Sequence, residues 1–254
     1  AVYRERLEGP EGSRARAYLR RRGFDDETIR RWGIGYAPPS GIIRRKTKVD
    51  ALVRAGLLAG ETVLVERYLD RIVIPIRKDG RTVSFAGRML REDDRYPAWV
   101  NGPNTAVFRR GDVLFGWDEA RPAVEATGTA IVVEGYFDAI ALHAAGYPNA
   151  IASSGVSLSD EAIARLSRFA RRVYVAYDAD PAGRYGALRV AARLEEAGIE
   201  ALIAPLPADP DEIVRDGGRE AFRDILARSA DRKTTIARTE KSPVRVRALE
   251  FGWI

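Results

Sequence analysis

Cysteine is absent from this 254-residue chain, and histidine occurs once, at His143. The lack of cysteine excludes disulfide bonds and any thiolate zinc site, and a single histidine leaves almost no imidazole chemistry. Any bound metal would therefore need oxygen ligands, which magnesium, manganese and calcium prefer. Because His143 lies among alanines in a helix-like segment, we expect it to pack or to face solvent rather than to catalyse.

Long apolar runs are absent as well. No segment approaches the roughly 18–20 apolar residues that a membrane-spanning helix needs, and no signal peptide is visible. With 46% hydrophobic and 31% charged residues, the chain can bury the core of one large domain or two smaller ones. We therefore expect a cytoplasmic protein without a membrane partner. Because the first residue is alanine, we expect a fragment or a processed product.

Lysine is scarce, with five residues among the 42 cationic side chains, yet the formal net charge is +6. A basic protein of this kind favours a polyanionic partner such as nucleic acid. The arginine bias has a second explanation, GC-rich coding. Charge alone leaves both explanations open.

The first 120 residues have mixed character. Residues 13–38 predict two short helices, the first ending at Gly23 and the second capped by Asp25 or Asp26. Residues 70–90 predict a β-hairpin, because Ile72, Ile74 and Ile76 alternate before an Asp79–Gly80 turn. Residues 95–116 are rich in proline, asparagine and glycine and predict loops.

From Thr129 onward, apolar strand-like runs alternate regularly with helix-like runs. Strands are predicted over 129–135, 149–155, 172–180 and 200–207, each followed by a helix, the last of them a short one over 209–218. Continuous apolar strands joined by helices indicate a parallel sheet with right-handed crossovers. The segment from about residue 219 has weak periodicity and predicts a tail or an incomplete helical element.

Acidic residues follow three of these strands. Glu134 closes the first, Asp178 and Asp180 close the third, and Asp209 and Asp211 follow the fourth. Ligands of an open parallel sheet bind at the carboxyl ends of its strands, and residues two apart on an extended chain point to the same side. A divalent cation would offset the repulsion among such carboxylates.

Each acid also has a purely structural explanation. Asp180 precedes a proline and suits a helix cap, Asp138 lies in the first turn of a helix, and Asp209 and Asp211 could cap the next helix. Because the acids share one edge of the sheet, we favour the metal site.

Four segments in this order resemble the Toprim domain: "VVEGYFDAIALHAAG", "AIASSGVSLSDE", "VYVAYDADPAGRYGALR" and "LPADPDEIV". Four earlier segments resemble the RNA-polymerase core of DnaG-type primases: "YLRRRGFDDETIRRWGIGYAP", "RIVIPIRKDGRTVSFAGRML", "WVNGPNTAVFRRGDVLFG" and "DEA". The resemblance covers about residues 15–218. It implies an α/β fold in which a Toprim domain, with a central parallel sheet flanked by helices, follows a smaller basic mixed α/β domain. The expected divisions are 1–120 for the basic domain, 121–222 for the Toprim domain and 223–254 for the tail.

The resemblance implies roles for individual residues. Glu134, Asp178 and Asp180 would be catalytic ligands of Mg²⁺ or Mn²⁺, with Asp138, Asp209 and Asp211 in the same cluster and no zinc in this chain. The basic domain would contact nucleotide and template phosphates in a groove, with Trp99 available for stacking on bases. Its expected contact residues are Arg71, Arg77, Arg88, Asn101 and Arg110.

The implied activity is DNA primase activity at the replication fork. The enzyme would join ribonucleoside triphosphates into an RNA primer on a single-stranded DNA template, and a replicative helicase would bind through regions this chain does not contain. Two alternatives stay open: a Toprim-type metal-dependent nuclease, and a non-catalytic module that binds single-stranded DNA or the replisome. Ala98 stands where the family usually has lysine, and no cysteine-rich zinc domain is present, which favours the last alternative.

Overall fold

A computed structural model of the chain describes residues 1–43, 47–60, 63–91, 95–155 and 157–240. Its strands form two four-stranded sheets and one small two-stranded sheet. The first sheet belongs to the amino-terminal part of the chain and the second to the carboxyl-terminal part. In the described part of the chain, no helix has the length and apolarity needed to cross a bilayer.

The amino-terminal part is a mixed α/β domain. Its helices are α1 (Val2–Glu8), α2 (Ser13–Arg21), α3 (Asp26–Trp32) and α4 (Val49–Arg54). Its strands are β1 (Gly35–Ala37), β2 (Leu58–Ala59), β3 (Val65–Glu66), β4 (Arg71–Lys78), β5 (Arg81–Met89) and β6 (Trp99–Asn101). The larger sheet has the antiparallel order β1-β4-β5-β6.

The predicted local structure of this domain is largely confirmed. Asp25 caps α3 by accepting a hydrogen bond from the Thr28 N–H, and β4 and β5 form the predicted hairpin. The turn residues Asp79 and Gly80 both have positive φ, as this tight type of hairpin turn requires. Strand β6 lies within the segment predicted as loops. The sequence did not predict this strand because three residues are too few to show an alternating pattern.

The carboxyl-terminal part alternates strands and helices around a parallel sheet. Its strands are β7 (Thr129–Val133), β8 (Ala150–Ala152), β9 (Arg172–Ala176) and β10 (Glu200–Ile203). Its helices are α5 (Trp117–Thr127), α6 (Tyr136–Ala144), α7 (Asp160–Ser167), α8 (Pro181–Glu196), α9 (Pro210–Ala227) and α10 (Arg232–Glu240). The strand order is β10-β9-β7-β8, all parallel, so the predicted fold class is confirmed.

Helical structure does not end at Gly218, where the sequence predicts the end of a short helix. Gly218 has a φ of 68° and marks a kink, after which a second helical segment continues to Ala227. Because α9 runs through residue 222, the proposed boundary between residues 222 and 223 lies within a helix. Residues 241–254 of the predicted tail lie outside the described residues.

The two faces of the parallel sheet pack against different partners. Ile131 and Val133 of β7 point into a core shared with the amino-terminal helices and α6. Ala130 and Val132 point to the other face, into a core built with α5, α7 and α8. This alternation follows from the two-residue period of a strand. The amino-terminal helices pack on the first of these faces, whereas the β4–β5 hairpin reaches α5 and α7 of the other layer.

Candidate active site

Four acidic side chains meet at the carboxyl edge of the parallel sheet. Strands β7 and β9 are neighbours, with Val133 opposite Ala176, so Glu134 and Asp178 leave the sheet side by side. Asp180 begins α8 and Asp209 begins α9. Besides burial, the charges of Asp180 and Asp209 raise the pKa of both Glu134 and Asp178. We call Glu134, Asp178, Asp180 and Asp209 the acidic edge.

Asp178 is the most perturbed member of the acidic edge. Its Oδ1 is buried and has no hydrogen-bond partner in the described structure. Burial, followed by the charges of Asp209 and Glu134, raises the pKa of Asp178 to about 7. A buried carboxylate oxygen without a partner is costly, and a bound cation would satisfy it.

Glu134 lies in a similar environment. Burial is the main cause that raises the pKa of Glu134, and the charges of Asp180 and Asp209 add to it. The carboxylates therefore repel one another in this structure, which is the arrangement that a divalent cation stabilises.

Asp138 and Asp211 form a second layer behind the acidic edge. Asp138 is buried, and its Oδ1 accepts a hydrogen bond from the Asp211 N–H at 3.0 Å. Burial, followed by the charges of Asp211 and Asp178, raises the pKa of Asp138 well above its usual range. A Cβ at Gly135 would lie 2.3 Å from Asp138 Oδ2, so a larger residue at position 135 would displace the Asp138 carboxylate.

The helix-cap explanation holds for one of the acids. Asp180 caps α8 by accepting the Gly183 N–H at 2.7 Å. Asp209 occupies the cap position of α9 but makes no side-chain cap hydrogen bond. Asp138 lies in the first turn of α6, as the structural explanation for it predicts, although the cap residue is Gly135. A side-chain cap hydrogen bond is therefore made by Asp180, which also faces the other acids, but not by Asp209.

The donor set fits a hard divalent cation. Every side chain of the acidic edge offers carboxylate oxygens, and the buried Asp178 Oδ1 has no partner of its own. Among the described residues, however, no three acidic or histidine side chains are gathered tightly enough to form a ready-made metal cage. Binding would therefore require these carboxylates to change rotamer.

A basic groove of about 330 Å³ lies in the amino-terminal domain. We call it the arginine groove; its lining residues are Tyr18, Arg21, Arg22, Arg88, Met89, Leu90 and Arg91. Arg88 donates from Nε to the Tyr18 hydroxyl at 3.1 Å and lies 5.9 Å from the Trp99 ring centroid.

Arg22 joins this groove to the acids. Its Nη1 lies 2.5 Å from Asp211 Oδ2, and the side chain of Asp211 is only 3% exposed. The hydrogen bond and charge of Asp211 raise the pKa of Arg22 against the opposing effect of burial. Through this ion pair, the amino-terminal domain neutralises one carboxylate behind the acidic edge.

Two of the predicted phosphate-binding arginines are engaged within the protein. Arg71 is buried and donates from Nη1 to the carbonyl oxygens of Pro97 and Ala98. Arg77 donates to Glu119 Oε1 at 2.8 Å, where the hairpin contacts α5. The structure places neither guanidinium in the arginine groove, and their predicted role as phosphate contacts stays untested.

Asn101 and Arg110 lie close to the start of α6. The Tyr136 hydroxyl donates to Asn101 Oδ1 at 2.6 Å, and Tyr136 follows Glu134 by two residues. Arg110 donates from Nε and Nη2 to the Ser154 carbonyl at 3.1 and 2.9 Å. The charge of Arg110 also acts on the Tyr136 hydroxyl and opposes the rise in its pKa that burial causes.

Trp99 and His143 are both packing residues. The Trp99 ring is half-buried against Tyr136 and Phe137, with centroids 5.3 and 5.1 Å apart, so only part of it is available for stacking. His143 is buried against Trp32, and its Nε2 lies 2.8 Å from the Ala150 carbonyl. Of the two expectations for His143, packing and solvent exposure, the structure confirms packing.

Sequence reasoning missed three residues of this region. Arg22 is one of three consecutive arginines, and nothing in the pattern distinguishes it from its neighbours. Tyr136 contacts Asn101 only through tertiary structure. Gly183 could have been found from the sequence, because glycine is unusual in the first turn of a helix and indicates a close backbone approach. A Cβ there would lie 2.3 Å from the Asp178 carbonyl oxygen.

Comparison with known families covers both halves of the chain. Residues 2–121 match the family model of the DNA primase catalytic core, N-terminal domain. Residues 131–214 match the Toprim-like model. The fold and its acidic edge therefore define a primase-type core joined to a Toprim-like domain. The upstream model describes a primase core and not a nuclease.

Individual relatives agree with these matches. The DNA primase of Aquifex aeolicus is 35% identical over 99% of this chain and 52% of its own length. The RNA polymerase domain of Mycobacterium tuberculosis primase DnaG superposes with a TM-score of 0.84 at 31% identity, over 98% of this chain and 87% of that domain. A DnaG primase catalytic domain bound to single-stranded DNA gives a TM-score of 0.83 at 33% identity, over 94% and 79% of the two chains.

The chain belongs to the DnaG-type DNA primase catalytic-core family. It spans about half the length of the Aquifex aeolicus relative and 35% of that from Synechococcus elongatus.

Proposed function

We propose that this chain is the catalytic core of a DNA primase, which joins ribonucleoside triphosphates into a short RNA primer on single-stranded DNA. The observation that carries the proposal is the buried, unpartnered Asp178 Oδ1 among mutually repelling carboxylates. The amino-terminal domain places arginines beside these acids, as a reaction between polyphosphate substrates requires. In the cell, the protein would act in the cytoplasm at the replication fork.

Mg²⁺ or Mn²⁺ would be held by Glu134, Asp178 and Asp180, with Asp209 beside them. Such an ion lowers the pKa of an attacking hydroxyl and offsets charge on transferring and leaving phosphates. Asp138 and Asp211 would support the site from behind: Asp138 fixes the start of α9 through the Asp211 N–H, and Arg22 neutralises Asp211.

The basic side chains would position the substrates. Arg88 is held by Tyr18 in the arginine groove, where it can bind a phosphate of the template or the nucleotide. Arg110 is fixed by the Ser154 carbonyl and would bind a second phosphate. Holding both reactants against the acidic edge turns a bimolecular reaction into an effectively intramolecular one.

A primer-synthesis assay on single-stranded DNA tests the proposal. The wild-type chain, D178N and D216N are incubated with ribonucleoside triphosphates and Mg²⁺ or Mn²⁺. Asp216 is an exposed aspartate on α9 that pairs with Arg215, so D216N is a matched control outside the site. We expect metal-dependent primers from the wild type and D216N, and a loss of about a hundredfold or more in D178N.

Three outcomes would overturn the proposal, and the third is a non-catalytic result. One is full activity in D178N, which would remove Asp178 from the reaction. The second is DNA cleavage by the wild type with manganese and no nucleotide incorporation, which would identify a nuclease. Binding of single-stranded DNA without metal and without any incorporation would instead identify a non-catalytic module.

A further inference from the structure

An exposed aromatic residue lies on α8 just beyond the acidic edge. Tyr185 is 47% exposed, and the guanidinium of Arg189, one helical turn further on, lies 5.8 Å from its ring centroid. Arg184 is exposed next to it, and its Nη1 donates to the carbonyl of Ala179, between the two acids of the third strand. We call Arg184, Tyr185 and Arg189 the α8 platform.

Packing does not explain the platform. The ring of Tyr185 contributes to neither hydrophobic core on the two faces of the sheet. Among the described residues, Arg189 forms no ion pair, and its guanidinium lies over the Tyr185 ring. An exposed tyrosine with an arginine beside it is therefore free to bind a partner from outside the fold.

The part of α8 before its two closing glutamates carries only positive charge. Arg184, Arg189 and Arg193 lie between Pro181 and Leu194, and no acidic residue occurs in this stretch. Cations near a helix amino terminus oppose the helix dipole, so helix stability does not favour Arg184 at this position. Arg193 is neutralised by Asp160, which leaves Arg184 and Arg189 as the cationic surface.

The α8 platform lies close to the acidic edge along the chain. Tyr185 follows Asp180 by five residues, about 7.5 Å along a helix axis. Helix α8 packs on the face of the sheet opposite to the amino-terminal helices, because its buried residues belong to the other core. The acidic edge therefore lies between the arginine groove on one face and the α8 platform on the other.

We propose that the α8 platform binds the single-stranded template, with an unpaired base stacked on Tyr185 and a phosphate bound by Arg189. Stacking on an exposed ring requires an unpaired base, and arginine beside the ring suits the adjacent phosphate. This inference rests on the proposed function, since it extends the template path from the arginine groove across the acidic edge.

Fluorescence anisotropy with a labelled oligothymidylate of about 20 nucleotides tests the platform. We expect Y185A to bind roughly tenfold more weakly and Y185F to bind like the wild type, because phenylalanine keeps the ring. For R189A, the slope of log affinity against log salt should fall by about 0.7, the value for one phosphate contact on a single strand.

R168A is the matched control. Arg168 is exposed at the end of α7, at the other edge of the same sheet face, and forms no ion pair among the described residues. We expect its affinity and salt slope to match those of the wild type. Circular dichroism checks that every variant is folded. If Y185A does not fold, R189A still tests the platform, and Y185F shows whether the ring without its hydroxyl is sufficient.

Three results would overturn the platform. They are unchanged binding by both Y185A and R189A, an equal loss in R168A, and an equal loss of affinity for blunt duplex DNA in Y185A. Primer synthesis by the wild type is measured alongside. If the wild type makes primers while the variants bind normally, the platform is wrong and the proposed function stands. If the wild type neither binds single-stranded DNA nor makes primers, the proposed function itself fails.

Discussion

The acidic edge and the arginine groove are linked through the Arg22–Asp211 ion pair, but they are built in different ways. The acids stand where buried strands end, so the sheet itself brings Glu134 and Asp178 together. The arginines extend from α2 and β5 on long side chains, and Arg88 reaches its position through a hydrogen bond to Tyr18. A rigid scaffold fixes the acids, whereas side-chain contacts fix the arginines. We therefore expect substitutions to have sharp effects at the edge and graded effects in the groove.

Arg22 is where the two regions meet, and its replacement should have the largest effect on stability. R22A would leave Asp211 as a nearly buried carboxylate without its cation, which costs about 3 kcal/mol in the free energy of unfolding. Urea denaturation measures the loss. The double variant with D211N should recover part of it, because the unpaired charge is then absent.

R20A provides the control for that experiment. The ion pair of Arg20 with Asp26 is exposed on both sides, so its loss should change the free energy of unfolding by no more than about 0.5 kcal/mol. An equal effect of R22A and R20A would contradict the buried junction between the two regions.

Gly183 tests how rigidly the scaffold holds the acidic edge. In G183A the added Cβ would overlap the Asp178 carbonyl oxygen, 2.3 Å away, so either the loop or α8 must shift. We expect a loss of about 2 kcal/mol in stability and a fall of roughly a hundredfold in primer synthesis. G111A is the control, since its Cβ would meet Ser159 at an ordinary 3.6 Å. Normal primer synthesis by a folded G183A would show that the edge tolerates movement.

The pH dependence of stability tests the repulsion within the edge. Because the pKa of Asp178 is raised to about 7 from an ordinary value of 3.8, the folded metal-free protein holds a proton that the unfolded chain releases. Stability should therefore fall as pH rises from about 4 to about 7, by about 1 kcal/mol after allowing for partial exposure. Urea denaturation in a chelator at several pH values measures the slope. An identical slope in D178N would contradict the assignment to Asp178.

Tyr136 should show the smallest effect. Y136F removes the hydrogen bond to Asn101 and leaves the ring packed against Trp99. We expect a loss of about 1 kcal/mol in stability and only a modest decrease in primer synthesis. Thermal denaturation and the primer assay measure both quantities. A loss of activity as large as that of D178N would show that the Tyr136 hydroxyl takes part in the reaction itself.

The sequence predicted the acidic edge better than the basic contacts, for a physical reason. An acid at the end of an apolar strand can be located from the local sequence pattern. Parallel topology then brings the ends of neighbouring strands to one edge of the sheet. The surroundings of Arg71 and Arg77 depend on tertiary partners, namely the Pro97 carbonyl and Glu119, which no local pattern reveals. The same holds for the pairing of Arg22 with Asp211, since 189 residues separate them in the chain.

Secondary structure was also predicted best where the local sequence pattern is strong. The predicted hairpin and the alternation after Thr129 were confirmed because their apolar periods are long and regular. Short elements such as β6 carry too few residues to show a period. The continuation of α9 beyond Gly218 was missed because a glycine with positive φ usually ends a helix, whereas here it only kinks one.

Metal binding by the acidic edge tests the central claim most directly. Isothermal titration of Mn²⁺ into the wild type, D178N and D216N near pH 7.5 measures it without any substrate. We predict saturable binding by the wild type and by D216N, proton release on binding because Asp178 must ionise, and loss of binding in D178N. Equal Mn²⁺ affinity in D178N and the wild type would contradict the account.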